Sequence, residues 1–253
     1  MESTEIRKLV ALEDRHWWYA ERRRILASLL DTEIRQWGDL IALDIGAAGG
    51  GNTRVLRAAG AFAVPVEYGP EGAEAARDRG LPAVRGDAGG LPFTTAAAGL
   101  IVAFDILEHI EDDAAVLGEF ARVLRPGGRL WVAVPCDMSL WSDHDRAVGH
   151  VRRYDRTELV EKVVAAGFEV QDVWSWNVLL RPVVNLRRRR AQGSDLGEIG
   201  RFTNWALARI IAMERYLPFV RRRSGVSLIL IARRGGIDTT DQVGPNRGLV
   251  GDR

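Results

Sequence analysis

The chain has 253 residues, 47% hydrophobic and 27% charged, enough to bury a sizeable core and ordinary for a soluble globular domain. No apolar run approaches the ~18 residues of a membrane-crossing helix, the polar start Met1 to Glu5 lacks a signal-peptide pattern, and the lone Cys136 excludes an intramolecular disulfide framework. The net charge of +1 hides an asymmetry, since residues 1–150 carry 16 basic against 23 acidic side chains and residues 151–253 carry 19 against 11.

In chain order, the first element is a helix holding His16, Trp17, Trp18 and Tyr19. Helical neighbours lie about 100° apart, so these side chains cannot share one core, and at least one is expected to face a cleft. From Leu40 to Pro135, short β-rich runs alternate with helical stretches. Strands are expected at Leu40–Ile45, Ala63–Tyr68, Pro82–Gly86, Gly99–Ile106 and Arg129–Pro135, with helices at about Asn52–Ala59, Glu71–Arg79 and Asp112–Leu124. Most of these strands are apolar without clean alternation, as suits a sheet covered on both faces. Their alternation with helices implies an α/β fold with a doubly wound parallel sheet. A helix at Arg156–Ala166 stops at Gly167 and a strand follows at Phe168–Trp174. The last strand, Val226–Arg233, comes after the Arg187–Arg190 run and a stripe at helical spacing, Phe202, Ala206, Ile210, Met213 and Leu217, closed by Pro218. The expected organisation is a helical lid over residues 1–36, an α/β domain over 37–234 with a helical insertion at 175–225, and a disordered tail over 235–253.

The most informative stretch is Leu43-Asp44-Ile45-Gly46-Ala47-Ala48-Gly49-Gly50-Gly51-Asn52. It leaves a strand and enters a helix, where backbone amides meet ligands in this architecture. Glu67 closes the next strand, where a carboxylate accepts hydrogen bonds from ribose hydroxyls. The pair points to an adenosine-containing ligand. Two patterns fit the turn: a dinucleotide fingerprint on Gly46, Ala48 and Gly51, or D-x-G-x-G-x-G on Asp44, Gly46, Ala48 and Gly50. Both have alanine in place of a glycine. The sequence that follows discriminates: the third strand ends at Gly86-Asp87-Ala88, the fourth enters Asp105-Ile106-Leu107-Glu108-His109-Ile110, and Leu124-Arg125-Pro126-Gly127-Gly128 closes a helix.

This ordered set, from roughly Leu40 to Trp174, resembles the class I S-adenosylmethionine-dependent methyltransferases, in their small-molecule and lipid-modifying branch. The resemblance implies a Rossmann-like seven-stranded sheet whose last strand is antiparallel, S-adenosylmethionine as cofactor, and methyl transfer to an O or N atom of a small-molecule or lipid-like acceptor. It implies that the Gly-rich turn lies against the methionine part and that Glu67, with Tyr68 beside it, takes the ribose. Asp87 would read the adenine amino group, Ala88 the ring, and Phe104 and Asp105 the amino-acid end. Related methyltransferases carry a similar His-Trp-Trp cluster that closes over the cofactor, which implies a lid role for His16, Trp17, Trp18 and Tyr19. An NAD(P)-dependent oxidoreductase and a non-catalytic S-adenosylmethionine-binding protein are the alternatives.

Methyl transfer from a sulfonium is an in-line displacement that depends on positioning, with a base needed only when the acceptor keeps its proton. The loop after the fifth strand is the place to look. There His144 and His150 are candidate bases or acceptor-orienting groups, with an adjacent aspartate to orient the ring, and Trp141, Arg153 and Tyr154 are candidate substrate contacts. The run His150-Val151-Arg152-Arg153-Tyr154 is also similar to a stretch of the same branch. No metal site is expected, because Asp143, His144, Asp145 and His150 lack a tight i, i+4 pairing. His109 is expected to cap or pack, and Cys136 to be a buried thiol. The insertion is expected to shape the acceptor pocket, with peripheral membrane contact through the Arg-rich half as its sharper reading. Nucleic acid is not an expected partner, since the arginines lack interleaved aromatics. The expected location is the cytoplasm, with possible membrane association.

Overall fold

The computed structural model describes residues 3–33, 40–188 and 200–236. One sheet of seven strands runs through them: β1 (Ile41–Ile45), β2 (Phe62–Glu67), β3 (Val84–Arg85), β4 (Ala98–Phe104), β5 (Leu124–Pro135), β6 (Phe168–Trp176) and β7 (Ser227–Arg234). Their spatial order is β3-β2-β1-β4-β5-β7-β6. The first five strands are parallel, and β7 is antiparallel to both β5 and β6. The doubly wound α/β sheet with its reversed last strand is as expected.

Nine α-helices are described: α1 (Ser3–Leu12), α2 (Trp17–Glu33), α3 (Gly51–Ala58), α4 (Pro70–Asp78), α5 (Asp113–Val123), α6 (Asp143–Val148), α7 (Arg156–Ala165), α8 (Arg181–Arg188) and α9 (Arg201–Met213). Every residue of β4 is buried, which is why its sequence is an uninterrupted apolar run. Alternate residues feed two cores. Leu43, Ile101 and Val132 pack on one face with Phe120 and Leu159 of α5 and α7. Ala42, Leu100 and Trp131 pack on the other with Leu26 and Leu30 of α2 and Leu56 of α3.

Four details differ from expectation. Strand β5 starts at Leu124, because Leu124 pairs with Ala98 across a register shift; Pro126-Gly127-Gly128 is an irregular stretch of strand, with Gly127 at φ 73°, and no helix-closing turn. Strand β3 shrinks to two residues at the sheet edge, where only β2 supports it. The segment after β5 is partly helical: Asp145 Oδ2 accepts the Ser142 backbone N–H at 2.9 Å, starting α6, and Gly149 ends it at φ 81°. The second helix of the insertion, expected to run on to Leu217, ends as α9 at Met213 and gives way to short 3₁₀ turns at Glu214–Tyr216 and Pro218–Arg222. Residues 1–2 and 34–36 of the expected lid, 189–199 of the expected insertion (with Arg189 and Arg190 of the arginine run), and 237–253 of the expected tail lie outside the described residues.

Candidate active site

The carboxyl ends of β1 to β5 open on one cavity of about 860 Å³, roofed by α1, α2 and α8. The Gly-rich turn forms its floor beside β1. Gly46 (φ 69°) is required twice over: the left-handed backbone disfavours any side chain, and a Cβ there would stand 1.7 Å from Ile106 Cδ1. Ala48 also takes a left-handed backbone, at φ 47°. Its methyl group therefore carries a cost of about 1 kcal/mol that glycine would not. Gly50 (φ 81°) leads into α3 with Leu81 packed against it and does not face the cavity. Asp44 is also beneath the turn: it is buried, and its Oδ2 accepts the Thr53 hydroxyl at 2.6 Å. Burial raises its pKa to about 7, against the Thr53 bonds and with help from Glu67.

Glu67 faces the cavity from the end of β2, with its Oε1 accepting the Ala48 amide. Burial raises its pKa to about 7. Tyr68 lines the cavity and is largely exposed, at 75%. Asp87 is exposed at the cavity wall, with Oδ1 accepting the Gly89 amide at 2.9 Å, and Ala88 lies beside it. Phe104 and Asp105 close the set at the end of β4. Asp105 has a left-handed backbone (φ 58°), held by its amide donating to Ala133 O at 2.8 Å. Such a conformation costs about 1–3 kcal/mol and turns the side chain out at the strand end.

All four lid residues line the cavity. Trp17 is buried, and its amide donates to Asn204 Oδ1 of α9 at 2.9 Å. Trp18 meets Trp176 edge-on at 4.6 Å between centroids. Desolvation, and then the charge of Arg187, lower the His16 pKa to about 4, so its imidazole is neutral at pH 7. Beyond the expected four, Glu13 pairs with Arg79, and Arg79 donates to Gly49 O at 2.7 Å, which fastens the α1–α2 junction to the Gly-rich turn.

Arg22 is the residue that sequence reasoning missed on this side. It is 3% exposed and lies within a cage of Trp18, Phe104 and Trp176. Its Nη2 donates to Asp105 Oδ1 at 2.8 Å and to Ser227 Oγ at 3.2 Å. Its Nε and Nη1 have no hydrogen-bond partner among the described residues. A cofactor with a carboxylate at this end and ribose hydroxyls at Glu67 would satisfy both groups, so the residues present fit S-adenosylmethionine.

Towards β5 the cavity is lined by Glu108, His109, His144 and His150. His150 follows the glycine that ends α6, and Asp145 Oδ1 accepts its Nδ1–H at 2.8 Å. Asp145 is fully buried and also accepts Arg153 Nε at 2.9 Å. Desolvation opposes its ionisation, but the His150 bond and the Arg153 charge outweigh that and hold its pKa at about 2. His144 lies on α6, with its ring 6.2 Å from that of His150. Glu108 is the second residue missed: it is fully buried, and both carboxyl oxygens have no hydrogen-bond partner among the described residues. Burial, reinforced by Asp105, raises its pKa well above the ordinary carboxyl range.

Three expected substrate contacts lie away from the cavity. Arg153 is spent on Asp145. Tyr154 is completely buried, donating its hydroxyl to Asp113 Oδ2 at 2.7 Å behind the strand ends. Trp141 is half-buried ahead of α6. The first two have a common cause: the chain at 153–154 runs beside the end of β5, bridged to Cys136, where both side chains are buried by partners outside the cavity and support the site from behind. Cys136 is a buried thiol, as expected.

Residues 43–132 match the methyltransferase domain family. A probable S-adenosylmethionine-dependent methyltransferase of Mycolicibacterium smegmatis is 37% identical over 84 residues, which is 32% of this chain and 33% of that protein. The demethylmenaquinone methyltransferase of Mycolicibacterium vanbaalenii is 36% identical over 129 residues, or 50% of each chain. The chain thus spans between a third and a half of the length of these curated relatives. Among solved structures, the [4+2]-cyclase SpnF superposes with a TM-score of 0.57 at 22% identity, over 88% of this chain and 84% of that one. That likeness concerns the fold alone.

Proposed function

We propose that the protein is a class I S-adenosylmethionine-dependent methyltransferase that transfers a methyl group from S-adenosylmethionine to an O or N atom of a small-molecule or lipid-like acceptor, a reading supported by the match of residues 43–132 to the methyltransferase domain family and by the likeness to a probable S-adenosylmethionine-dependent methyltransferase. The observation that carries this reading is that one cavity is lined by both sets of residues. Along the carboxyl edge of the sheet, Gly46, Glu67, Asp87 and Asp105 follow the order expected for the cofactor, and the wall towards β5 holds Glu108, His109 and His150. A methyl donor on the first set faces an acceptor on the second.

Binding the donor excludes water and fixes the approach, which is where an in-line displacement gains most. The sulfonium supplies the leaving group. The chain supplies Arg22 for the donor's carboxylate, Glu67 for its ribose, and the roof of Trp17, Trp18 and Tyr19. Of the two histidines of interest, His150 is better placed to meet an acceptor, because Asp145 fixes its Nδ1 and leaves Nε2 on the cavity side.

A lipid-like acceptor is favoured by the insertion. Leu180, Val183 and Val184 of the α8 region and Leu207 of α9 line the cavity. Outside it, Phe202, Trp205, Met213, Tyr216 and Phe219 are each more than half exposed, among Arg201, Arg209 and Arg221. Aromatic side chains beside arginines suit the interface of an anionic membrane. No described helix is long and apolar enough to cross one. Calorimetry with S-adenosylmethionine, S-adenosylhomocysteine and NAD tests the first part. Tight binding of the first two is expected, and preference for NAD would sink it. Flotation with anionic vesicles at low salt tests the second, and no binding there would remove the membrane reading.

A further inference from the structure

We propose that Glu108, His109 and His150 form a binding site for a divalent transition-metal ion of the zinc, iron(II) or cobalt(II) class, on the acceptor side of the cavity. The sequence gives no hint of this trio. It places His109 next to Glu108 but His150 some forty residues away, on the far side of β5 and α6. The fold joins the two segments through the backbone, with the Val151 amide donating to Glu108 O at 2.8 Å. One side-chain ligand atom from each of the three residues then lies within 4.8 Å of the others.

Three features separate this corner from an ordinary polar cluster. First, both imidazoles are held by acceptors at Nδ1, His150 by the Asp145 carboxylate at 2.8 Å and His109 by the Gly149 carbonyl at 3.0 Å. A carboxylate or carbonyl can only accept, so each ring carries a proton on Nδ1, and in the neutral ring that leaves the Nε2 lone pair for another partner. Metal-ligating histidines are oriented in this way by their outer partners. Second, Glu108 is fully buried, with neither oxygen partnered among the described residues. An uncompensated carboxyl there costs several kcal/mol unless a cation or proton meets it. Third, His150 Nε2 faces Glu108 Oε1 across 3.8 Å without a hydrogen bond. Ligands of a tetrahedral ion stand about 3.4 Å apart when metal–ligand bonds are near 2.1 Å, so a shortening of at most about 1.4 Å between any two of the three closes the set.

Two imidazoles with one carboxylate select a borderline transition ion over magnesium or calcium, which prefer oxygen ligands. Three protein ligands leave positions open to the cavity. This part rests on the methyltransferase reading. An acceptor hydroxyl bound to the ion would lose its proton to water at neutral pH. Its oxygen would then form the new O–CH3 bond as the S–CH3 bond breaks, leaving S-adenosylhomocysteine with the sulfur electron pair. The metal site itself does not depend on that reading.

The test uses the full chain, stripped with a chelator and titrated with Co²⁺, whose visible d–d absorption reports coordination without any turnover. One equivalent is expected to bind, and Zn²⁺ to displace it. Glu108→Gln keeps the shape and removes the charge, and should raise the Co²⁺ dissociation constant at least about tenfold; Asp145→Asn, acting through His150, should raise it about tenfold. Affinity for S-adenosylhomocysteine, measured on the same samples, shows that each variant is folded and tests the methyltransferase reading separately. Absence of stoichiometric Co²⁺ binding by the wild type, or equal affinity in Glu108→Gln, would overturn the proposal.

Discussion

Replacing Asp44 by Asn should change how stability depends on pH, in a direction that the buried carboxyl dictates. Asp44 is 1% exposed, with its pKa raised from an ordinary 3.8 to about 7. In the folded chain it keeps its proton up to about pH 7, whereas the unfolded chain releases it near pH 4. Between those values the folded state binds more protons, so this group's effect on stability becomes steadily less favourable as pH rises, and levels off above pH 7. The displacement corresponds to about 4 kcal/mol, of which about 3 kcal/mol falls between pH 5 and pH 8. Asparagine does not titrate and keeps an acceptor for the Thr53 hydroxyl, which donates to Asp44 Oδ2 at 2.6 Å. His16 and His109, both lowered to about 4, push the wild-type curve the opposite way, so the absolute slope is uninformative. The difference between the two proteins is informative, because groups that do not interact with Asp44 cancel, leaving Asp44 itself and its smaller charge coupling to Glu67 and Glu13. Urea unfolding at pH 5 and pH 8 should show Asp44→Asn gaining about 3 kcal/mol on the wild type over that interval. Parallel curves would refute the assignment of Asp44 as a protonated buried acid.

Glu67→Ala and Asp87→Ala should each weaken S-adenosylmethionine binding about tenfold or more, as loss of a hydrogen bond to a charged group does; calorimetry that finds both affinities unchanged would mean the cofactor site is misplaced. Gly46→Ala should destabilise the fold by about 1–3 kcal/mol and abolish cofactor binding, since its Cβ would meet Ile106 and the backbone is left-handed. Wild-type binding in that variant would show that the turn does not floor the cofactor site. Tyr154→Phe should cost about 1–3 kcal/mol in urea unfolding through the lost Asp113 bond, with cofactor affinity unchanged. Wild-type stability in that variant would show that the buried hydroxyl is not the support described.

What the sequence made legible was local. The strand β4 is apolar because both its faces are covered, and the turn at Asp44 to Gly50 declares its strand–helix junction through small residues. Even α6 had its signals, Ser142 three residues before Asp145 and then Gly149, though the density of charged residues masked them as loop. The illegible features depend on distant chain. In Arg22-Arg23-Arg24 the residue type does not distinguish one position from the next, yet Arg22 is sealed under three aromatic rings contributed from as far away as Trp176. His150 could be singled out as a residue type, but not its partnership with Glu108, because no spacing rule spans β5 and α6. Arg153 and Tyr154 failed for a related reason: a motif gives the residues, and the strand beside which they lie decides which way they turn.

The position of β7 between β5 and β6 bears on how the molecule comes into being. During synthesis the first five strands can associate as they emerge, but β6 has no neighbour in the sheet other than β7, and must wait for residues 227–234. The same late strand brings Ser227, to which Arg22 donates from across 205 residues. Two of the seven strands and one of the contacts that hold the roof therefore depend on residues 227–234. Long-range closure of this kind is slow relative to local contacts, so a chain interrupted before Ser227 would lose the sheet partner of β6 along with β7, and Arg22 would keep its bond to Asp105 but not the one to Ser227.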